Sequence, residues 1–265
     1  MDQAYPQVTT FYPDPKSPAI ANSDPVCRQE EWFARLPLLS EEFLDRHQRP
    51  LVTVSYAQSV DGCIASRDRQ QLQLSGPQSM VLTHRIRAAC DCVVIGINTL
   101  LVDNPQLTVR HSAGPSPQPL VLDSNLRTPV EARLLERTDH GCWLACTDAT
   151  PSQRGSALQE RGAEIIRCGR DGRGRVDLAD LLAQLGKRGI RSVMVEGGSQ
   201  VISSFIEARL VDQMIITIAP QLVGGLSVLA RPTGAPGSLL RLQAMSYHAC
   251  GPDIILWAQP RWQDP

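Results

Sequence analysis

Apolar and polar positions alternate along the chain in stretches that predict strands and helices in turn. The stretch 51–56 is rich in β-branched residues, and Cys92 to Ile97 is a continuous apolar run, typical of a strand covered on both faces. Leucines at 178, 181, 182 and 185 recur at helical spacing. Further strands are expected at 120–122, 143–146, 163–167, 192–195 and 214–219, and further helices after Ser75 and at 153–161 and 199–208. This alternation predicts an α/β sandwich with a largely parallel central sheet and helices on both faces.

The two ends of the chain have different patterns. Five prolines fall within the first 25 residues, which predicts an extended tail, and a short helix is expected from Ser40, its N-cap, to His47. Near the other end, the segments 239–247 and 253–258 are expected to pair antiparallel at an edge of the sheet. We therefore divide the chain into a proline-rich N-terminal extension with a short helix, residues 1–49, and one domain, residues 50–265.

Composition and charge exclude several classes of function. The 265 residues carry 26 basic and 27 acidic side chains, which gives a net charge of −1. The chain therefore lacks the excess of positive charge that is typical of non-specific nucleic-acid binding. The apolar runs are far shorter than the ~20 residues of a membrane span, and the first residues do not resemble a signal peptide. We expect a soluble cytoplasmic protein. The eight cysteines are scattered among apolar neighbours and predict buried thiols, with no metal site.

Several catalytic motifs are missing. No G-x-G-x-x-G follows a predicted strand, which argues against a Rossmann dinucleotide site, and no P-loop is present. The string Gly197-Gly198-Ser199-Gln200-Val201 does not match the nucleophile elbow of serine hydrolases. Neither H-x-E nor P-C-x-x-C occurs, so there is no zinc deaminase centre.

The clearest candidate turn is Val195-Glu196-Gly197-Gly198-Ser199, a strand that runs through two glycines into a helix. Glycines allow close approach of a ligand, and the free amides at a helix start attract phosphate, although such a turn also needs glycine for its geometry alone. A carboxylate at position 196 suits substrate hydroxyls or ring N–H groups. It equally suits a solvated or arginine-paired residue.

A second candidate segment follows the most apolar strand. Between residues 98 and 110, Thr99, Asp103 and Arg110 bring a hydroxyl, an acid and a base to one loop, although Asp-Asn-Pro is also ordinary turn chemistry. Arg87, on the helix after Ser75, could clamp a phosphate, or it could be a solvated or ion-paired arginine.

Taken together, these segments resemble the pyrimidine reductases of riboflavin biosynthesis, the C-terminal domain of the bifunctional deaminase–reductase and its stand-alone relatives. Order and spacing match across residues 50–258. The motifs are Tyr56-Ala57-Gln58-Ser59-Val60-Asp61-Gly62, His84-Arg85-Ile86-Arg87-Ala88, Asn98-Thr99, Asp103-Asn104-Pro105, Leu107-Thr108-Val109-Arg110, Val195-Glu196-Gly197-Gly198-Ser199, Leu210-Val211-Asp212, Ala219-Pro220 and Gly224-Gly225.

The resemblance implies a dihydrofolate-reductase-like fold, a homodimer, and NADPH-dependent reduction of a ribosylaminopyrimidine 5′-phosphate to its ribitylamino form. It implies substrate contacts at Arg87, Leu107, Arg110 and Glu196. Asp103 and Glu196 are the candidate proton donors, and Ser124 with Arg127 could hold the cofactor 2′-phosphate. The positions implied for NADPH are Ala57, Thr99, Asp103, Ser124, Gly197, Gly198, Ser199, Gln200, Val201 and Ser203.

The sequence departs from the family pattern at Ser55, Cys63, Gln71 and Gln73, all near the expected substrate end. Two alternatives therefore stay open. One is a paralogue that reduces another substrate, such as a pterin, with the same cofactor. The other is a nucleotide-binding protein that kept the fold and lost turnover.

Overall fold

The computed structural model describes residues 25–68, 70, 72–229 and 240–262, with backbone alone at 25–28. The tail predicted before residue 25 and the departure at Gln71 lie outside the described residues. Within them the predicted alternation of strands and helices is confirmed. The helices are α1 (Pro25–His47), α2 (Pro77–Ala89), α3 (Ile97–Asp103), α4 (Ser152–Glu160), α5 (Leu178–Lys187) and α6 (Ser199–Glu207), with a 3₁₀ turn at Arg133–Glu136.

One large sheet organises the described residues. Its strands are β1 (Leu51–Ser59), β3 (Cys92–Gly96), β4 (Gln118–Leu122), β5 (Trp143–Thr147), β6 (Glu164–Cys168), β7 (Ser192–Glu196), β8 (Gln213–Ala219), β10 (Arg241–Cys250) and β11 (Asp253–Arg261). They run in the order β10-β11-β8-β1-β7-β3-β4-β5-β6, parallel from β8 to β6. The hairpin β10–β11 joins β8 antiparallel, as expected for the C-terminal edge.

Both faces of the sheet are covered by helices. Successive side chains of a strand point to opposite faces, and in strands such as β3 the side chains on both faces are apolar and buried. On β3, Val94 points into the core under α5 and α6, whereas Val93 and Ile95 pack toward α3, α4 and the 3₁₀ turn. Beneath β7 and β8, Met194 and Ile215 join the core that α1 and α2 cover. The parallel sheet with helices on both faces is therefore confirmed.

Helix α1 is longer than its sequence predicts. It spans Pro25–His47 and contains Pro37, so the capping pattern at Ser40 does not mark its start. Apolar packing outweighs the local signal here. Trp32, Leu36 and Phe43 are buried in the core shared with α2, and Trp32 Nε1 donates to Gln213 Oε1 on β8 at 2.9 Å.

Two local predictions need correction, and one small element was not predicted. The N-cap of α2 is Gly76 rather than Ser75, with Pro77 at the first position. The stretch after β3 is not a loop throughout, because residues 97–103 form α3, which ends at Asn104 in the left-handed conformation. A small sheet of β2 (Cys63–Ala65) with β9 (Leu226–Ser227) was not predicted, since such short strands carry no periodicity.

Candidate active site

A cleft of about 1310 Å³ opens at the carboxyl ends of the parallel strands. This is where open α/β sheets bind ligands, because the connections to the helices diverge there. Strands β1, β3, β4 and β7 supply its floor through residues at or just beyond their ends. Most of the predicted site residues line it: Ala57, Arg87, Thr99, Asp103, Ser124, Glu196, Gly197, Gly198, Ser199, Gln200, Val201 and Ser203.

The turn between β7 and α6 approaches α3 closely. Gly197 and Gly198 have φ angles of 80° and 56°, which disfavour any side chain. A Cβ on Gly198 would lie 3.1 Å from Thr99 Oγ1, and one on Gly197 would lie 3.3 Å from the same atom. Both glycines are therefore required by backbone conformation and by the neighbouring threonine, and their backbone faces the cleft.

The first turn of α6 begins without a side-chain cap. Gly198 occupies the N-cap and supplies no side-chain cap, so the amides of Ser199 and Gln200 begin the helix uncapped within the described residues. Beside this turn, Asn98 Nδ2 donates to Gln200 Oε1 at 3.1 Å, which joins α3 to α6. These free amides and the positive end of the helix dipole favour an anionic group at this point of the cleft.

Arg87 and Glu196 form a bidentate ion pair inside the cleft. Nε and Nη2 of the arginine each lie 2.6 Å from a carboxylate oxygen, and the side chains are only 12% and 14% exposed. Burial alone would lower the pKa of Arg87, but the charge and hydrogen bonds of Glu196 hold that pKa above its usual value. Of the alternatives that the sequence leaves open for these residues, the ion-paired one is found.

Asp103 lies on α3 at the cleft wall, half-buried. Burial raises the pKa of its carboxyl above the usual value. Among the described residues it has no hydrogen-bond partner, so nothing opposes this shift. Asp103 is thus the acid of the cleft whose environment favours the protonated form.

Leu107 and Arg110 do not line the cleft, contrary to the expectation that one loop gathers Thr99, Asp103 and Arg110. The formation of α3 separates them, because Asn104 then turns the chain away. Leu107 is buried in the core below α3, with a φ angle of 54°. Arg110 is exposed outside the cleft lining, and its Nη1 donates to Thr108 Oγ1 at 2.9 Å.

The far end of the cleft carries Arg127, Arg173 and Arg175, and no sequence motif indicated the last two. Arg175 Nη1 donates to Ser204 Oγ on α6 at 3.0 Å, and Asp171 accepts from its other nitrogens. Ser124 Oγ accepts from the amide of Val176 at 3.2 Å, which ties this loop to the end of β4. Glycine and arginine alternate at 172–175, a composition that could have indicated a basic loop.

Arg127 closes the same end from the other side. Its Nη2 lies 3.5 Å from Asn98 Oδ1, and its Nε lies 4.0 Å from the fully buried Asp123. Both contacts are long, so most donors of this half-exposed guanidinium are open to the cleft. Ser124 and Arg127 both line the cleft, and their role at a cofactor stays a prediction.

The β1–β2 turn is fixed to the loop after β8 through Asp61. Its carboxylate accepts from Ser59 Oγ and from the amides of Val223 and Gly224, the latter at 2.6 Å. These hydrogen bonds hold the pKa of Asp61 well below its usual range. The turn therefore supports the rim at Ile64, Ala65 and Leu226, and Cys63 is buried behind it.

A model of one protein family matches residues 50–256, that of the C-terminal domain of RibD. The match covers more than half of the chain. The chain belongs to this family. RibD-type sequence motifs and the strand-end cleft thus occur in the same molecule. The sheet, with its antiparallel C-terminal edge, is the fold expected of a RibD C-terminal domain.

Relatives of this RibD-type chain are named as reductases. The 2,5-diamino-6-ribosylamino-4(3H)-pyrimidinone 5′-phosphate reductase of Aquifex aeolicus is 32% identical over 219 residues, which cover 78% of this chain and 95% of the relative. That of Archaeoglobus fulgidus is 36% identical over 187 residues, covering 67% and 83%. The riboflavin biosynthesis reductase Rib7 of Saccharomyces cerevisiae superposes with a TM-score of 0.64 at 26% identity, covering 86% of this chain and all of that one.

The structure of RibD from Acinetobacter baumannii superposes with a TM-score of 0.73 at 23% identity. It covers 89% of this chain and 64% of that one, and it shows the shared fold. In the part of the chain that is described, no helix is long and apolar enough to cross a membrane. No cluster of three or more His, Cys, Asp or Glu side chains in that part is arranged to hold a metal ion.

Proposed function

We propose that this protein catalyses the NADPH-dependent reduction of a ribosylaminopyrimidine 5′-phosphate to its ribitylamino form in riboflavin biosynthesis. The observation that carries the proposal is one cleft that combines an uncapped glycine turn at a helix start with the buried Arg87–Glu196 pair. The first suits a nucleotide cofactor and the second a polar, multiply hydroxylated substrate. Family membership and the reductases among the relatives support the same activity.

The cofactor end fits a dinucleotide phosphate. Gly197 and Gly198 line the cleft without side chains, and a Cβ on either would make a tight contact with Thr99 Oγ1. Bound there, NADPH would supply a hydride to the substrate carbon, which is chemistry that no side chain can perform. We assign the α6 side of the cleft to the cofactor, with Ser199, Gln200, Val201 and Ser203 along its first turns, and Ala57 at the end of β1.

A preference for NADPH over NADH follows from the arginines at the far end. Arg127, Asn98 and Gln200 form one hydrogen-bonded chain, and Ser204 with Arg175 forms a second one on the same helix. Ser204 Oγ donates to Gln200 O at 2.6 Å and so joins the two. Two guanidinium groups thus flank the first turns of α6, where the 2′-phosphate of NADPH would gain charge-assisted hydrogen bonds.

The substrate end lies at α2. Glu196 uses both oxygens on Arg87, yet each carboxylate oxygen has a second lone pair for a substrate hydroxyl or N–H group. Because Arg87 is already paired, we propose that the substrate phosphate extends beyond the cleft lining to the exposed Arg110, which the family resemblance also implies as a substrate contact. Thr83 and Ser75 line the wall next to Arg87 and offer further hydroxyl groups.

The cyclic ribosylamine would first open to an imine, its N–H proton passing to the ring oxygen, and hydride addition at C1′ then requires a proton at the neighbouring nitrogen. Glu196 acts as an acceptor on both oxygens and is poorly placed to donate. Asp103 is half-buried, its pKa is raised by that burial, and it lies in the same cleft. We therefore propose Asp103 as the proton donor of the reaction and Glu196 as a substrate-binding group.

The test is NADPH oxidation with each of two purified substrates, the diaminopyrimidinone and the deaminated uracil form. Turnover with one or both establishes the reductase, and the ratio of kcat/KM identifies the preferred form. Tight NADPH binding without turnover on either would support a paralogue with another substrate, of which a pterin is the first to try. No NADPH binding would overturn the proposal.

The quaternary state is part of the same proposal. We expect a cytoplasmic homodimer, as the resemblance implies. The outer strand β10 leaves one backbone edge without a neighbouring strand among the described residues, and Met245 and Tyr247 on it are exposed. Light scattering on the purified chain at micromolar concentration measures the mass directly, and a monomer would contradict this expectation.

A further inference from the structure

A buried histidine on α2 is hydrogen-bonded to the segment that carries Arg110. His84 is 1% exposed, and its Nδ1 accepts from the backbone N–H of Arg110 at 2.9 Å. An imidazole can accept at Nδ1 only when that nitrogen carries no proton, so this geometry requires the neutral ring with its proton on Nε2. The ring of His111 packs edge-on against it, with 4.6 Å between the centroids.

The same helix holds this segment at a second point. Arg87, one turn after His84, donates from Nη1 to the carbonyl oxygen of Thr108 at 3.1 Å while its other nitrogens hold Glu196. Residues 104–110 belong to no strand or helix, so no ladder of backbone hydrogen bonds fixes them. Among the described residues, the hydrogen bonds that hold residues 108–110 from outside the segment come from α2 and from Ser116 Oγ, which accepts from the amide of Val109.

From these contacts we infer that His84 is a positioning residue: as a neutral acceptor it fixes the backbone of Arg110 and, through it, the guanidinium that we assign to the substrate phosphate. His84 itself touches neither substrate nor cofactor. Together with Arg87 it couples two substrate contacts, Arg110 on its segment and Glu196 on β7, to one rigid helix. The inference rests on the proposed function for its effect on KM, but not for the state of the ring.

The charges around His84 favour the neutral ring. Arg87 faces it from α2, and Arg110 and His111 face it from the segment, whereas Glu196 is the acidic group that opposes them. Burial contributes most, and the three basic neighbours add to it, so that the pKa of His84 falls to about 4. The acceptor state is therefore the stable one at neutral pH.

The state of the ring can be measured without any turnover. In protein labelled with ¹⁵N in its histidine side chains, the His84 signals, assigned by their loss in His84→Asn, are expected to show a neutral ring with the proton on Nε2. A ring that is protonated on Nδ1 at neutral pH would overturn the inference. Amide hydrogen exchange at Arg110 is expected to be protected in the wild type.

Two variants then separate the hydrogen-bonding role of His84 from the space that its side chain fills. His84→Leu keeps the volume but leaves the Arg110 N–H without an acceptor, and it should raise the KM for the phosphorylated substrate about five- to tenfold, with a smaller change in kcat and in NADPH affinity. His84→Asn offers Oδ1 as the acceptor in place of Nδ1, and its KM should lie close to the wild-type value. The matched control is His248→Asn on β10, far from the cleft, which should change neither value.

The outcomes distinguish the two proposals. An inactive wild type with a neutral, Nε2-protonated His84 would contradict the proposed function and leave the positioning role intact. An active wild type in which His84→Leu and His84→Asn have equal KM values would overturn the positioning role alone. If His84→Leu does not fold, the tautomer and the exchange rate of Arg110 in the wild type and in His84→Asn still decide.

Discussion

The guanidinium of Arg87 and the carboxylate of Glu196 are joined by two contacts of 2.6 Å between α2 and the end of β7. The pair connects residues 109 positions apart and is nearly shielded from solvent. A buried pair of this kind contributes little compared with an apolar replacement, but losing one partner leaves an uncompensated charge. Its role is therefore best understood as fixing both groups in place for a ligand.

We expect Arg87→Gln to lower the free energy of unfolding by about 3 kcal/mol, since Glu196 is left buried and unpaired. Glu196→Gln should cost a similar amount for the converse reason. The double variant should cost clearly less than the sum, because neither charge then remains. Urea unfolding of the three variants gives the coupling energy. Strictly additive losses would show that the two side chains do not interact.

The second prediction concerns the proton donor. Replacing Asp103 by Asn removes the acid and should lower kcat about 10²-fold while NADPH affinity changes little. Burial raises the pKa of this carboxyl, so the active protonated form is lost as pH rises through that value. The wild-type kcat should therefore fall as the pH rises through the pKa of Asp103, and the variant should not show this fall. An identical pH profile in both proteins would assign the donor elsewhere.

The third prediction tests the glycine turn. Gly198→Ala places a Cβ 3.1 Å from Thr99 Oγ1 in a backbone conformation with a φ of 56°. We expect a loss of NADPH affinity of about tenfold or more, measured by fluorescence titration, as the turn shifts. Gly189→Ala is the matched control, because its φ is 80° but no atom lies near the added Cβ. Equal NADPH affinity in both variants would reject the turn as part of the cofactor site.

The fourth prediction separates NADPH from NADH. Arg127→Ala and Arg175→Ala each remove one guanidinium beside Ser204 and Gln200, and each should weaken NADPH binding about tenfold with little effect on NADH. Calorimetry with both nucleotides measures the ratio. Arg154→Ala is the control, since this exposed arginine donates to Asn125 O and is not part of the cleft lining. A parallel loss for both nucleotides would place the 2′-phosphate elsewhere.

The fifth prediction follows from the pKa of His84, which is about 4 in the fold against an ordinary 6.5. The unfolded chain takes up the proton near the ordinary value and the folded chain only near the lower one. Stability should therefore be lost as pH falls through this window, and none should be lost above it. His84→Asn should lose less stability than the wild type between about pH 7 and pH 4.5 in urea titrations. Parallel curves would contradict the assignment.

Much of the fold can be derived from the order of apolar and polar residues. Local hydrophobic periodicity predicts the strands that begin at Cys92 and Ser192, the helix that begins at Leu178 and the antiparallel edge. The periodicity is reliable there because each of these elements buries at least one whole face. Where packing outweighs local signals, the sequence misleads. Helix α1 extends far before the capping residue Ser40 because Trp32 and Leu36 are buried against α2 and the sheet.

By itself the sequence determined the order of the main strands and helices, the strand-end glycine turn and the residue types that the cleft contains, since each is a property of neighbouring residues in the chain. Only the tertiary structure decided which side chains meet. In the folded chain Arg87 pairs with Glu196, and Arg175 donates to Ser204. Arg110 lies outside the cleft lining, and its amide donates to His84. Such contacts join distant positions of the chain, and their geometry is fixed by how the helices pack on the sheet, which no local pattern contains.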